Sequence, residues 1–352
     1  MTNQIRISKR TAALFLTAGL LIFLVYLYFF VDFGEFVTTL ESANLLYYSL
    51  AAICLFVTMA FYSLTWQNLL RLVSVKVSFL RAAQYIWIGC FVDILVPAES
   101  VSGDITRIYL LSRDNKDNAG KVVASVVGHR LLSGFVLFIG FFVSSVYFVF
   151  MFRPTMLVQQ IIVGVLVLSV VFQGLLLYLC VRRNVTERLV NWLVNLLARL
   201  SRGRWHFDWL RASAMKMLTA FHDGIDMIRQ QPKRLVVPFL LAVVAWFFDL
   251  LLVVFVWLSL GSFGTTVSLS LVMVVYSISA GLQVVPFGIP AEIGVFEIVM
   301  TSVYAVFGVP IALAAVATLL TRFLTLWVKL AVGGIAVQML GLKGLTNSSA
   351  SK

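Results

Sequence analysis

Six acids, four cations and a histidine stand inside apolar stretches of this chain. They are Asp93, Glu99, Asp104, Asp249, Glu292 and Glu297, then Arg107, Arg130, Arg322 and Lys329, and His129. An ionisable group near the centre of a membrane helix costs roughly 2.5–3.5 kcal/mol on insertion scales, so each needs a reason to be there. Six of the eleven fall into a pattern that occurs twice. Pro97-Ala98-Glu99 is followed by four residues and then Asp104, and Pro290-Ala291-Glu292 by four residues and then Glu297. Arg130 follows Pro97 by 33 positions, and Arg322 follows Pro290 by 32. Agreement at three points, each in a like setting, indicates an ancient internal repeat.

The chemistry open to these groups is limited. A guanidinium presents a planar fork of donors that matches a phosphate, so Arg130 and Arg322 facing a common cavity would suit a phosphate-bearing headgroup. On a helix, Thr318, Arg322, Thr325 and Lys329 share one face at i, i+4, i+7 and i+11. Ser125, Arg130, Ser133 and Gly134 make a less regular polar face. Glu99, Asp104, Arg107, Arg130, Glu292, Glu297, Arg322 and Lys329 are therefore the candidate substrate-binding residues, with His129 and Asp249 as candidates for proton handling. A structural reading stands beside this one. The four motif carboxylates lie near helix starts, where they offset the helix dipole, and the two arginines would then only neutralise them. His129 reads equally as a satisfied interior histidine. No nucleophile–base triad, glycine-rich phosphate loop or metal-ligand spacing is visible, so no catalytic residue, metal or cofactor is expected.

The elements that must position these residues follow from hydropathy. Hydrophobic residues make up 61% of 352 positions and charged residues 12%, against roughly 25% charged in soluble domains. Several apolar runs exceed the roughly 20 residues that cross a bilayer. Cys54, Cys90 and Cys180 lie in such runs and read as free thiols. Thr11–Phe30, behind Arg6, Lys9 and Arg10, is longer than a signal-peptide core and lacks a small-residue cleavage site, so a retained first span is expected. Asn44–Leu70, Lys121–Phe152, Leu157–Val181, Leu235–Leu260 and Ile311–Leu340 are the other spans. Gln84–Val96 and Gly103–Leu111 are each too short to cross, and they meet at the first motif. Leu269–Val285 and Ile298–Phe307 do the same at the second. Paired half-length helices at a polar Pro/Gly tip predict re-entrant hairpins. Between the halves, Arg182–Arg234 carries eleven Lys/Arg against four acids. Its Leu189, Trp192, Leu193, Leu196 and Leu197 recur at helical spacing, which predicts amphipathic helices on a membrane face.

Charge then orients the chain. With the N-terminus cytoplasmic, 22 of the 27 Lys/Arg fall inside, only Arg153 outside and four at membrane depth, as the positive-inside rule requires. The net charge of +12 is thus a topology signal, and nucleic acid is not expected as a partner. The predicted fold is an all-α integral membrane protein of six full transmembrane helices plus two re-entrant hairpins. They form an inverted-topology repeat, with cytoplasmic amphipathic helices between the halves. Its parts are a first repeat over 1–181 (hairpin 84–112), a basic interfacial linker over 182–234, a second repeat over 235–341 (hairpin 269–307) and a polar tail over 342–352. Both termini are expected in the cytoplasm, and the membrane is expected to be the plasma or inner membrane.

At these motifs the chain resembles the lysylphosphatidylglycerol synthase transmembrane-region family, also called flippase-like or UPF0104. The resemblance is carried by Leu95-Val96-Pro97 through Gly103-Asp104, by Arg107 and Leu110-Leu111, and by Pro286 through Gly294-Val295-Phe296-Glu297. Gly308-Val309-Pro310 and Arg322 continue it. It covers roughly Leu14 to Leu340. Ala-Glu stands twice where the family usually has glycine-containing turns, which implies a different headgroup preference. The family implies movement of a lipid across the bilayer, including aminoacylated phosphatidylglycerol. The leading expectation is a flippase- or scramblase-like transporter of an anionic phospholipid, aminoacylated lipid or lipid-linked phosphate, and not an enzyme. The alternatives are a membrane component of a lipid aminoacyl- or glycosyltransferase system, or a scaffold for a separately encoded enzyme. Membrane lipids with anionic headgroups are the expected partners, alongside a separately encoded lipid-modifying enzyme or a second copy of the chain.

Overall fold

The computed structural model describes Gly34, Thr38 and residues 41–96, 101–114, 119–153, 155–200, 208–282 and 293–349. The anticipated first span, most of the polar tips of both motifs, and with them Glu99 and Glu292, lie outside these residues. The described chain is helical, and among its residues the one β contact is a bridge between Phe263 and Val267. Five helical stretches are long and apolar enough to cross a membrane: Leu45–Leu72, Ala119–Phe152, Val158–Val181, Pro232–Ser259 and Ile311–Gly341. Large side chains such as Phe142, Phe150, Val163, Leu168 and Leu175 are exposed on them. Apolar surface on that scale is what a bilayer covers.

The element order is α1 (Leu45–Leu72), α2 (Phe79–Leu95), α3 (Val101–Asp114), α4 (Ala119–Phe152), α5 (Met156–Val181), α6 (Arg183–Leu200), α7 (Asp208–Arg229), α8 (Val236–Ser259), α9 (Leu269–Leu282), α10 (Val295–Val306) and α11 (Ile311–Arg322). A π-helical segment, Phe323–Val328, joins α11 to α12 (Lys329–Ser349). Local signals set the ends. The Asn44 side chain accepts from the Leu46 and Tyr47 N–H groups to start α1, a standard N-cap. Val96 leaves α2 at φ −104°, ψ 125°, the extended conformation that a following proline imposes. α2 begins at Phe79, five residues before the expected Gln84, because the Ser78 side chain caps it.

At the centre, α1 and α8 pack antiparallel along their length. Asn44 N–H donates to the Ser259 carbonyl at one end, at 2.8 Å. Tyr47 stacks on Phe255, and Phe61 stacks on Phe248 further along. The short helices pair as α2 with α3 and α9 with α10, and each pair also touches the next long helix, α3 against α4 and α10 against α11. α2 further packs on α12, and α9 on α4. Small residues allow the close approaches. The Gly103 Cα faces the Gly89 carbonyl and the Asp93 carboxylate so closely that a Cβ would lie 2.6 Å from the former. On α12, a Cβ on Gly333 would lie 2.7 Å from the Trp87 carbonyl of α2.

Of the two amphipathic helices, α7 buries its apolar stripe in protein. Leu218, Phe221 and Ile225 cluster with Ala124 of α4 and Cys180 of α5. A Cβ on Gly224 would meet the Ala124 Cβ, which shows how tightly α7 lies on α4. α6 leaves Leu189 and Trp192 exposed. His222 of α7 is 4% exposed. Burial, then the nearby Arg183, pushes its pKa down, against opposing effects of the Cys180 backbone and the Asp226 and Glu187 carboxylates.

Candidate functional site

The first motif's second carboxylate organises a buried charge cluster. Asp104 stands in the first turn of α3, where a carboxylate complements the helix dipole. Its Oδ1 accepts from Arg107 Nε at 3.1 Å and Nη2 at 2.5 Å. Its Oδ2 faces Arg130 Nη1 of α4 at 3.3 Å. Arg107 is 4% exposed, and its Nη1 lies 3.1 Å from His129 Nδ1. A guanidinium can only donate, so Nδ1 is the acceptor and His129 carries its proton on Nε2. That Nε2 is buried with no hydrogen-bond partner among the described residues.

α1 supplies the wall behind the cluster. Arg107 Cζ sits 5.2 Å from the centroid of a Trp66 ring, a cation–π contact. The Trp66 indole N–H donates to Ser125 Oγ of α4 at 3.1 Å. Tyr62 lies over His129 with ring centroids 4.1 Å apart. On the hairpin's other arm, Asp93 of α2 accepts from Ser102 Oγ at 2.7 Å and from the Gly103 N–H at 2.6 Å. It thereby serves as a cap for α3 supplied from α2, a role the sequence reading did not assign to it.

The second motif repeats the pairing. Glu297 in the first turn of α10 is 2% exposed and Arg322 at the end of α11 is 6% exposed. Arg322 Nε donates to Glu297 Oε1 at 2.8 Å. Glu297 Oε2 accepts from the Gly294 N–H at 2.7 Å, the return bond of a capping box. Gly294 holds φ +89°, a conformation that favours glycine. The guanidinium lies 4.6 Å from the Phe296 ring centroid. Thr301 and Thr318 join α10 to α11 through a hydroxyl pair at 3.2 Å.

The remaining candidates go elsewhere. The expected common face of Thr318, Arg322, Thr325 and Lys329 presumes an unbroken α-helix, and the π segment between Arg322 and Lys329 breaks that register. Arg322 serves α10, whereas Lys329 begins the helix that packs on α2. Ser125 turns to Trp66, while the Gly134 carbonyl accepts from Gln173 of α5 at 2.7 Å, so the second supposed polar face divides between two neighbours. Asp249 lies apart, accepting from Tyr276 of α9. Among the described residues no three His, Cys, Asp or Glu side chains gather as a metal site.

Sequence reasoning did not find the aromatic partners Trp66, Tyr62, Phe296 and Tyr276. Only Phe296 carried a signal, through its place beside Glu297 in the repeated motif. The others stand in apolar runs where an aromatic residue is unremarkable.

Comparison with known proteins agrees with the motifs. Residues 16–333 match the family described as the lysylphosphatidylglycerol synthase TM region. A UPF0104 membrane protein of Methanothermobacter thermautotrophicus is 23% identical over 308 residues, covering 88% of this chain and 89% of the relative. One from Pyrococcus horikoshii is 23% identical over 302 residues, with 84% and 87% covered. Another from Methanocaldococcus jannaschii is 21% identical over 340 residues, with 95% and 96% covered. With membrane-length apolar helices and a match that runs through both charge clusters, this chain is a membrane protein belonging to the lysylphosphatidylglycerol synthase TM region family.

Proposed function

We propose that the protein moves a lipid with an anionic phosphate-bearing headgroup across the membrane. The observation that carries this is the repeated acid–arginine pair, Asp104 with Arg130 at 3.3 Å and Glu297 with Arg322 at 2.8 Å, each set at a junction between a short helix and a long one. Each arginine is held by a carboxylate that a headgroup phosphate can replace, because both offer a pair of oxygens to the planar donor fork of a guanidinium. The first pair is the entry site in this reading, since Arg130 keeps 29% side-chain exposure while the Arg322 side chain keeps 8%. A transporter fits these pairs better than an enzyme does, as their chemistry is binding and release of an anion.

The architecture we infer for it is six spans and two re-entrant hairpins in an inverted repeat, in the plasma or inner membrane with cytoplasmic termini. The antiparallel α1–α8 core supports it. So do the contacts, which come in mates: α1–α2 with α8–α9, α3–α4 with α10–α11, and α2–α12 with α9–α4. Discontinuous helices meeting near the midplane are where transporters of this architecture bind substrate. The charge distribution supports the orientation.

The test is purified protein in liposomes with acyl-labelled phosphatidylglycerol, scored by the label that an impermeant reductant can reach. Protein-dependent movement is expected, falling about tenfold or more in Arg130→Lys and Arg322→Lys while both stay folded, since lysine keeps the charge and loses the fork. Lysine variants that transport normally would remove the phosphate from these sites. No movement of any anionic lipid by the wild-type protein would remove the transport reading itself.

A further inference from the structure

Asp249 differs from every other described acid at membrane depth. Asp104 and Glu297 are paired with arginines, and Asp93 takes a hydroxyl and a backbone N–H. Asp249 Oδ2 accepts one neutral donor, the Tyr276 hydroxyl of α9, at 2.5 Å. It stands ten residues before the end of α8 at Ser259, which at 1.5 Å per residue is roughly 15 Å, about half the hydrocarbon thickness. Among the described residues the titratable groups facing it are Tyr276 and, on α1, Cys54. Other elements on α8 bring cations and titratable groups that are already engaged or distant. Arg322 of α11 is bonded to Glu297, and His129 and Arg130 of α4 to the Asp104 cluster. Tyr304 of α10 accepts from Trp257 at 3.0 Å, and Lys233 and Arg234 stand before the far end of α8. Among the described residues no cation stands beside it, and an ionisable group near mid-membrane is costly.

We infer that Asp249 and Tyr276 form a proton-binding site that couples lipid movement to a proton gradient, a proposal that rests on the transport reading above. The step is Asp249–COOH to Asp249–COO⁻ plus one H⁺ released to water, with no other bond made or broken. The charged form draws the Tyr276 hydroxyl, and with it α9, onto α8. The protonated form weakens that hydrogen bond and frees α9 to move. α9 is the first arm of the short-helix pair whose second arm carries Glu297, so the proton state of Asp249 biases the element that holds Arg322.

The liposome assay with labelled phosphatidylglycerol, run with and without an imposed pH gradient, tests this. One proton per lipid supports up to about tenfold lipid asymmetry per pH unit. The wild-type protein should build such asymmetry, and Asp249→Asn should lose it. Infrared titration of the same protein should show a carboxylic acid C=O band that disappears as pH rises and is missing from Asp249→Asn. Should that variant fail to assemble, Tyr276→Phe serves, since it keeps the acid and must shift both the band and its pH dependence. Lipid movement indifferent to the gradient sinks this proposal and leaves transport standing. If no lipid moves at all, transport fails, and the infrared titration still decides whether Asp249 exchanges a proton. A spectrum unchanged by either substitution overturns the site.

Discussion

Removing the Arg322 side chain isolates the energetics of the second charge pair. In Arg322→Ala, Glu297 keeps its bond from the Gly294 N–H at 2.7 Å and loses the one from Nε at 2.8 Å. It is then a carboxylate 2% exposed with no cation on it from Arg322. Breaking a buried pair from one side costs about 3–5 kcal/mol, because the penalty is the charge left behind. The surviving backbone bond places this case at the lower end, about 3 kcal/mol. At roughly 2 °C per kcal/mol for a large chain, the apparent melting temperature should fall by about 6 °C. Adding Glu297→Gln removes the stranded charge while an amide oxygen still accepts from Gly294, and should return most of that loss. Melting of the detergent-purified single and double variants measures both effects. If Arg322→Ala melts with the wild type, or if the double variant is no better than the single, the pair is not the buried electrostatic unit described above.

Gly103→Ala should destabilise by about 1–3 kcal/mol through overpacking, since its Cβ would lie 2.6 Å from the Gly89 carbonyl and against Asp93; an unchanged melting curve would mean α2 and α3 are not that close. His222 has a folded pKa below its unfolded value, so the unfolded chain binds the proton more readily. Stability is therefore level above about pH 6.5 and falls as pH drops below it, until the folded pKa is passed. His222→Gln should flatten that loss in melts taken between about pH 7.5 and 5. A cysteine at Thr265, exposed in the loop before α9, in a background lacking Cys54, Cys90 and Cys180, should react with an impermeant thiol reagent from outside intact cells. Reaction there only after lysis would invert the proposed orientation.

Long apolar runs made the spans easy to read, because twenty consecutive residues without a charge have few other uses. The acid–arginine pairs were legible for a different reason. Asp104 and Arg130, like Glu297 and Arg322, recur at nearly the same spacing in two halves, and a buried acid must find a cation. What stayed hidden depends on helix rotation and tertiary approach. Asp93 caps a helix nine residues away in sequence, which only the crossing at Gly89 and Gly103 makes possible. Lys329 seemed to share a face with Arg322 because α-helical periodicity was assumed across Phe323–Val328, and no residue type there announces a π turn. The α7 stripe read as membrane-facing, yet the surfaces at Ala124 and Cys180 that receive it give no periodic signal of their own.

The π segment has a consequence for how the last span can vary. A π turn is an α-helix holding one residue too many. Losing a single residue between Phe323 and Val328 would let that turn close as ordinary α-helix, with Arg322 before it and Gly333 after it nearly in place. The same loss between Lys329 and Gly333, where no π turn can absorb it, would rotate the rest of the helix by roughly 100° and take Gly333 off the Trp87 carbonyl that only a glycine admits. The last span can therefore shorten by one residue at this turn but not just beyond it. A one-residue deletion at the exposed Phe323 or Trp327 should leave assembly intact, whereas one at Leu330 should abolish it.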